Sequence, residues 1–171
     1  AYRFPAVRVA HVAVALPVPV GYWRAVGHSH HAFFKESFVD ECAHAAGADP
    51  LAYRLALLEG RPRQRAVLEL AAAQAGWGTP VAAAPDGATV ARGLALHESF
   101  GSTVAQVVEV SISADRRIRV HRVTCAIDCG MPVNPDGIEQ QIDSGVFFGL
   151  SAELLWRVEI DQRSEDLRLG K

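Results

Sequence analysis

The chain has 171 residues, half of them apolar and 21% charged, a balance that suits one globular core and argues against a disordered domain. At this length folding buries roughly 70% of the surface that the unfolded chain exposes. A net charge of −2 gives no broad attraction to nucleic acid or to an anionic membrane, so neither is an expected partner. No uninterrupted apolar run reaches the ~18 residues of a membrane span.

Val7 to Leu16 alternates loosely through Val9, Val12 and Val14 and meets Pro17 and Pro19, which predicts a strand ended by proline. A glycine-bounded turn, Gly21 to Gly27, follows. From about His30 to Ala46, Phe33, Phe34, Phe38, Val39 and Cys42 recur at helical spacing, so a half-buried helix is expected, stopped by Gly47. Asp49-Pro50 opens a second helix with an N-cap carboxylate and a first-turn proline, and Leu51, Leu55 and Leu58 form its apolar stripe. A third helix is expected over Arg63 to Ala75 with Val67, Leu68 and Leu70 inward.

Beyond the Ala/Pro/Gly-rich stretch 82–89 the period changes to two. Strands are predicted at Gly93 to Ser99 and Thr103 to Ser113, the latter with Val104, Val108, Val110 and Ile112 on its apolar side. Ala114 to Arg117 reads as a hairpin connection into a returning strand, Ile118 to Ile127. Asn134-Pro135-Asp136 opens a last helix through Ile138, Ile142, Val146, Phe147, Leu150 and Leu154, and Gly145 and Gly149 suit a close helix approach. The expected fold is α+β, a helical first half packed on a small, mostly antiparallel sheet, as one domain over 1–160 with a disordered tail at 161–171.

Two segments have the residue types of a ligand site. In Gly21-Tyr22-Trp23-Arg24-Ala25-Val26-Gly27 small residues let backbone N–H groups approach a ligand, and the helix that follows turns the positive end of its dipole toward it. In Asp128-Cys129-Gly130 a carboxylate beside a glycine suits a turn that accepts backbone N–H groups, a role favoured over catalysis. Read by residue type alone, Arg24 pairs with an acid or caps a helix, and Gln141 is a solvated helix residue. His28, His30 and His31 point in different directions at their spacing, so no metal site is expected. Cys42, Cys125 and Cys129 form no Cys-x-x-Cys pair, and reduced, buried thiols are expected. No Gly-x-Ser-x-Gly or phosphate-loop motif is present.

The run Trp23-Arg24-Ala25-Val26-Gly27-His28 with its acidic helix resembles the molybdenum-cofactor subunits of the xanthine dehydrogenase and aldehyde oxidase superfamily, and within it looks most like the beta subunits of isoquinoline 1-oxidoreductases. The run Asp128 to Pro135, Gln140-Gln141-Ile142-Asp143-Ser144-Gly145 and the pair Gly149-Leu150 is similar to a second segment of the same family. The resemblance implies a molybdenum hydroxylase that oxidises aldehydes or N-heterocycles and passes electrons to an iron-sulfur partner subunit. It places Arg24, Ala25, Gly27 and Gln141 against a molybdopterin cofactor and Val26 at the substrate pocket. Arg suits an anionic, hydrogen-bonding ligand, and an amide both donates to and accepts from a pterin edge.

The family's late Gly-x-Gly-Glu, whose glutamate is the base, and its Gly-Gln-Gly loop are both missing from the sequence. The expectation is a piece of a larger subunit that binds no molybdopterin and catalyses nothing by itself, with no catalytic and no metal-ligating residue. The alternative from another class is a non-catalytic structural or interaction domain of the same fold, a homo-oligomer that self-associates through an open sheet edge.

Overall fold

Asp49 and Asn134 start two helices in the way their sequences require: each side chain accepts a backbone N–H three residues on, from Ala52 (2.9 Å) and Gly137 (3.2 Å). The computed structural model describes residues 2–14, 21–160 and 167–170. Three helices come first, α1 (His28–Ala45), α2 (Pro50–Leu57) and α3 (Pro62–Ala75). Strands β1 (Val90–Ser99), β2 (Ser102–Ile112) and β3 (Ile118–Asp128) follow, then α4 (Pro135–Leu154), β4 (Arg157–Ile160) and β5 (Leu167–Gly170). The chain forms two compact units, Ala1–Val9 with Tyr22–Gly130, and Ala10–Gly21 with Met131–Lys171. Residues 161–166 and 171 of the expected tail lie outside the described residues, and 167–170 form β5, antiparallel to β4.

In the first unit the helices pack on an antiparallel sheet of order β1-β2-β3, which is the α+β arrangement expected. Phe100-Gly101 closes the first hairpin with both residues at positive φ (48° and 80°), the twist-matched form of a two-residue turn. Gly76 ends α3 at φ 68°, a conformation that costs an L side chain about 1 kcal/mol or more. The core lies between α3 and one sheet face: Val67, Leu68, Ala71 and Ala75 meet Leu94, Leu96, Ala105, Val107 and Ala126.

Three expected faces are corrected. On β2 the residues against α3 are Thr103, Ala105 and Val107, while Val104, Val108 and Val110 stay half-buried on the other face and Ile112 is exposed. β2 is thus apolar on both sides, and the larger valines are not the ones α3 covers. In α3 the inward stripe is Gln64, Val67, Leu68, Ala71, Ala72 and Ala75, and Leu70 points outward at 52% exposure. In α1 the buried positions are Glu36, Val39 and Ala43, and the three phenylalanines are about 60% exposed.

The strand expected over Val7 to Leu16 is absent from its described part: 7–14 is irregular, unpaired and exposed, because no neighbouring strand supplies ladder hydrogen bonds. The rest of that expected strand, with Pro17 and Pro19, lies outside the described residues. In α4, Ile138, Ile142, Val146 and Leu150 are half-buried, and among the described residues no atom lies within 4 Å of a Cβ built on Gly145 or Gly149, so no close approach of the kind expected is seen there. Of the thiols expected to be buried, Cys42 and Cys125 are half-buried and Cys129 is exposed.

Arg54 is fully buried and ties the helices together. Its Nε donates to Glu36 Oε2 (3.1 Å), Nη1 to Asp40 Oδ1 (2.6 Å), and Nη2 to the Glu36 carbonyl (3.1 Å). Burial works against the cation, and Asp40, Tyr2 and Glu36 outweigh it, so its pKa lies above the ordinary value. Arg54→Ala strands Glu36 and should cost about 3–5 kcal/mol in urea unfolding, against about 0.5 kcal/mol for an exposed control such as Arg116→Ala.

Candidate functional site

The Arg24 turn is held by its own backbone. Val26 N–H donates to the Trp23 carbonyl (3.1 Å) and His28 N–H to the Ala25 carbonyl (2.9 Å), while the Ser29 hydroxyl donates to the Val26 carbonyl (3.0 Å). Ala25 and Val26 stand at φ 66° and 51°, the left-handed region, which is a steric outlier for β-branched valine. Val26 is 70% exposed, so no packing of its side chain compensates the strain. Strain of this kind collects at ligand sites and switches. Gly27 starts α1 in tight quarters, since a Cβ there would lie 3.3 Å from the His31 ring.

The turn is an exposed element carrying an Arg, two strained residues and the amino end of an 18-residue helix. By residue type that combination suits an anionic, hydrogen-bonding ligand, since an Arg lies in the turn and the helix that follows presents the positive end of its dipole. Among the described residues no group of three metal-binding side chains occurs. His30 and His31 stack on each other, with ring centroids 4.4 Å apart, and His28 is hydrogen-bonded to His97.

The second segment is built on Asp128. Arg63, from the first turn of α3, donates Nε to Oδ2 (2.7 Å) and Nη2 to both Oδ1 and the Asp128 carbonyl (2.8 Å each), and Gly130 N–H donates to Oδ1 (2.9 Å). The expected turn-forming role is what the geometry shows. Arg63 and then the Gly130 N–H hold the carboxyl at a pKa of about 2. Gln141 is exposed on α4 in the second unit, whereas Arg24, Ala25, Val26 and Gly27 belong to the first.

Sequence reasoning missed the polar chain that reaches the Arg24 turn from below. Lys35 Nζ lies 3.2 Å from His97 Nδ1, and His97 Nε2 lies 3.0 Å from His28 Nδ1. Burial, then Lys35 and His28, push the His97 pKa down to about 4. Nearby, an open groove of about 630 Å³ runs between α1 and the second sheet face, lined by Phe33, Ala95, Val104 and Val108 with Glu36, Ser37, Asp40, His97 and Gln106 as polar points. His97 stands alone in its stretch of sequence, and no local spacing announces its partners 62 and 69 residues away.

Residues 64–167 match the family described as Molybdopterin cofactor-binding domain. The chain is 36% identical over 161 residues to the beta subunit of isoquinoline 1-oxidoreductase from Brevundimonas diminuta, covering 94% of this chain and 20% of that protein. It is 32% identical over 160 residues to a nicotinate dehydrogenase subunit of Pseudomonas putida, with 85% and 13% covered. It is also 30% identical over 158 residues to a membrane-bound aldehyde dehydrogenase of Gluconacetobacter polyoxogenes whose name carries pyrroloquinoline quinone, with 82% and 20% covered. The chain spans a fifth or less of the length of these relatives. No solved structure matches it significantly.

Two outcomes test the geometry of these segments. Val26→Gly should stabilise the fold by about 1 kcal/mol in urea unfolding, since glycine adopts the left-handed conformation without the valine penalty. Because the folded pKa of Asp128 lies below its unfolded value, its contribution is present above the ordinary carboxylate range and lost as pH falls toward about 2. A carbon-detected NMR titration should place the Asp128 midpoint near 2 and, in Arg63→Ala, well above it, nearer the ordinary value.

Proposed function

The chain belongs to the molybdopterin cofactor-binding domain family, and on that premise we propose that it is a segment of the cofactor-binding subunit of a molybdenum hydroxylase acting on aldehydes or N-heterocycles. The single observation that carries this reading is the exposed, strained Arg24 turn at the head of α1, lying in a chain of this family. The relatives' names supply the substrate classes: an N-heterocyclic base, a pyridine carboxylate and an aldehyde. The family description favours molybdopterin over the pyrroloquinoline quinone in one relative's name.

The residues at the turn fit such a cofactor. Arg24 supplies a permanent cation for its anionic and hydrogen-bonding groups, and Ala25 and Gly27 keep bulk away from the approach. Gln141 presents an amide able to donate and accept at the pterin edge. Val26, strained and exposed, faces outward as an aliphatic wall for the substrate side. When bound, the molybdenum cofactor supplies the two-electron chemistry of hydroxylation, and an iron-sulfur partner subunit removes the electrons. The chain's own contribution is binding and orientation, because the glutamate base of the family's Gly-x-Gly-Glu segment is not in this sequence.

A second reading rests on the sheet itself. β1 and β3 are both edges among the described strands, and half-buried valines line the face away from α3. A non-catalytic chain of this fold would associate with itself through that edge and face.

In the complete isoquinoline-oxidising relative produced in a molybdenum-replete host, the Arg24→Ala change at the corresponding position should lower molybdenum and pterin content about tenfold, from the loss of charge-assisted hydrogen bonds. The present chain, produced the same way, should retain no stoichiometric molybdenum. Unchanged cofactor content in the variant, or turnover by this chain alone, contradicts the reading, and a concentration-dependent dimer without pterin favours the second one.

A further inference from the structure

We propose that His97 is a positioning residue: through His28 it clamps the backbone of the Arg24–Gly27 turn onto strand β1. Its importance for a cofactor rests on the function proposed above, whereas the clamp itself is a property of the chain.

The hydrogen-bond inventory of the three side chains fixes the polarity of the clamp. Lys35 has donors only, and its Nζ reaches both the Leu96 carbonyl (3.0 Å) and His97 Nδ1 (3.2 Å). Nδ1 of His97 is therefore the acceptor, and the ring proton sits on Nε2. That Nε2–H donates to His28 Nδ1 at 3.0 Å, which places the His28 proton on its own Nε2. The depressed pKa of His97, set by burial and by Lys35 and His28, keeps the ring neutral, as one donor and one acceptor require.

The receiving end of this chain is the turn. His28 is the first residue of α1, next to Gly27, and its N–H closes the turn on the Ala25 carbonyl (2.9 Å). Phe100, from the β1–β2 hairpin, packs edge-on against the His28 ring with centroids 4.9 Å apart, and the His97 ring lies 5.2 Å away at 70°. His28 is thus held from two sides by the sheet. Ala25 and Val26, at φ 66° and 51°, persist in a costly conformation only while their neighbours are fixed. The His97–His28 hydrogen bond, together with the Phe100 contact, ties the helix end of this turn to the sheet across about 70 residues of chain.

Trypsin reads the clamp directly on the 171-residue chain. Cleavage at Arg24–Ala25 reports local opening of the turn, and cleavage in the Arg116–Arg117 hairpin connection serves as an internal control on the far side of β2. In His97→Ala the ratio of turn to hairpin cleavage should rise about fivefold, the population change expected for one lost hydrogen bond. His97→Gln, whose amide can accept from Lys35 and donate to His28, should return the ratio to within about twofold of the original. If His97→Ala fails to fold, His28→Ala, which leaves the Lys35–Leu96 contact in place, must give the same rise. An unchanged ratio, or His97→Gln as fast as His97→Ala, overturns the clamp. Since the measurement needs no cofactor, loss of pterin binding in a relative with a normal ratio would count against the proposed function and not against the clamp.

Discussion

The Glu36 carboxylate decides how the first unit is put together. Its Oε2 accepts from the Tyr2 hydroxyl (2.9 Å), Arg54 Nε (3.1 Å) and the Leu96 N–H (2.9 Å), joining the N-terminal segment, α2 and β1 at one atom. Lys35 Nζ lies 3.2 Å from Oε1, which has no hydrogen bond of its own. A buried carboxylate is tolerable only with such partners, and Arg54 is the one that carries charge into full burial. Burial first, and Glu36 next, raise the Tyr2 pKa, so its phenol stays a donor. Once Glu36 must face Arg54 and Leu96, the rotation of α1 about its axis is fixed.

That rotation has two consequences. Phe33, Phe34 and Phe38 turn outward, although their spacing alone would place them in a core. Lys35 comes beside His97, and the head of the helix comes beside Phe100, where the strained turn is held. Glu36, Val39 and Ala43 form the buried stripe of α1, and the three aromatic side chains lie on its other faces. The outward Phe33 also borders the groove against the valine face of β2, so the sheet is apolar on the side that α3 leaves uncovered.

Local signals in the sequence carried the elements well. Asp49-Pro50 and Asn134-Pro135 mark helix starts because capping is a contact within three residues, and the change of period near 90 marks the strands because alternation is also local. The faces were less legible. Val104, Val108 and Val110 exceed Ala105 in hydrophobicity, yet the face that meets α3 carries Ala105 and Val107 beside Leu94 and Leu96, and a strand apolar on both faces does not announce which one is covered. The Val7 to Leu16 alternation had the right pattern, but its described part, 7–14, pairs with no described strand, and a strand without a ladder is not stable. Of the site, the Arg24 turn and the Asp128 turn were visible as glycine-bounded motifs. Arg63 and His97, which hold those turns, were not, because each acts across more than 60 residues of chain.

Hydrogen exchange followed by mass spectrometry on Glu36→Gln tests most directly whether that carboxylate seats α1 and its leading turn on the sheet. Peptides spanning 24–45 and the one containing the Leu96 amide should lose protection by an order of magnitude or more, while peptides of α3 and β2 keep theirs. Protection of α1 equal to that of the unaltered chain, or a loss spread evenly over the first unit, would contradict that seating.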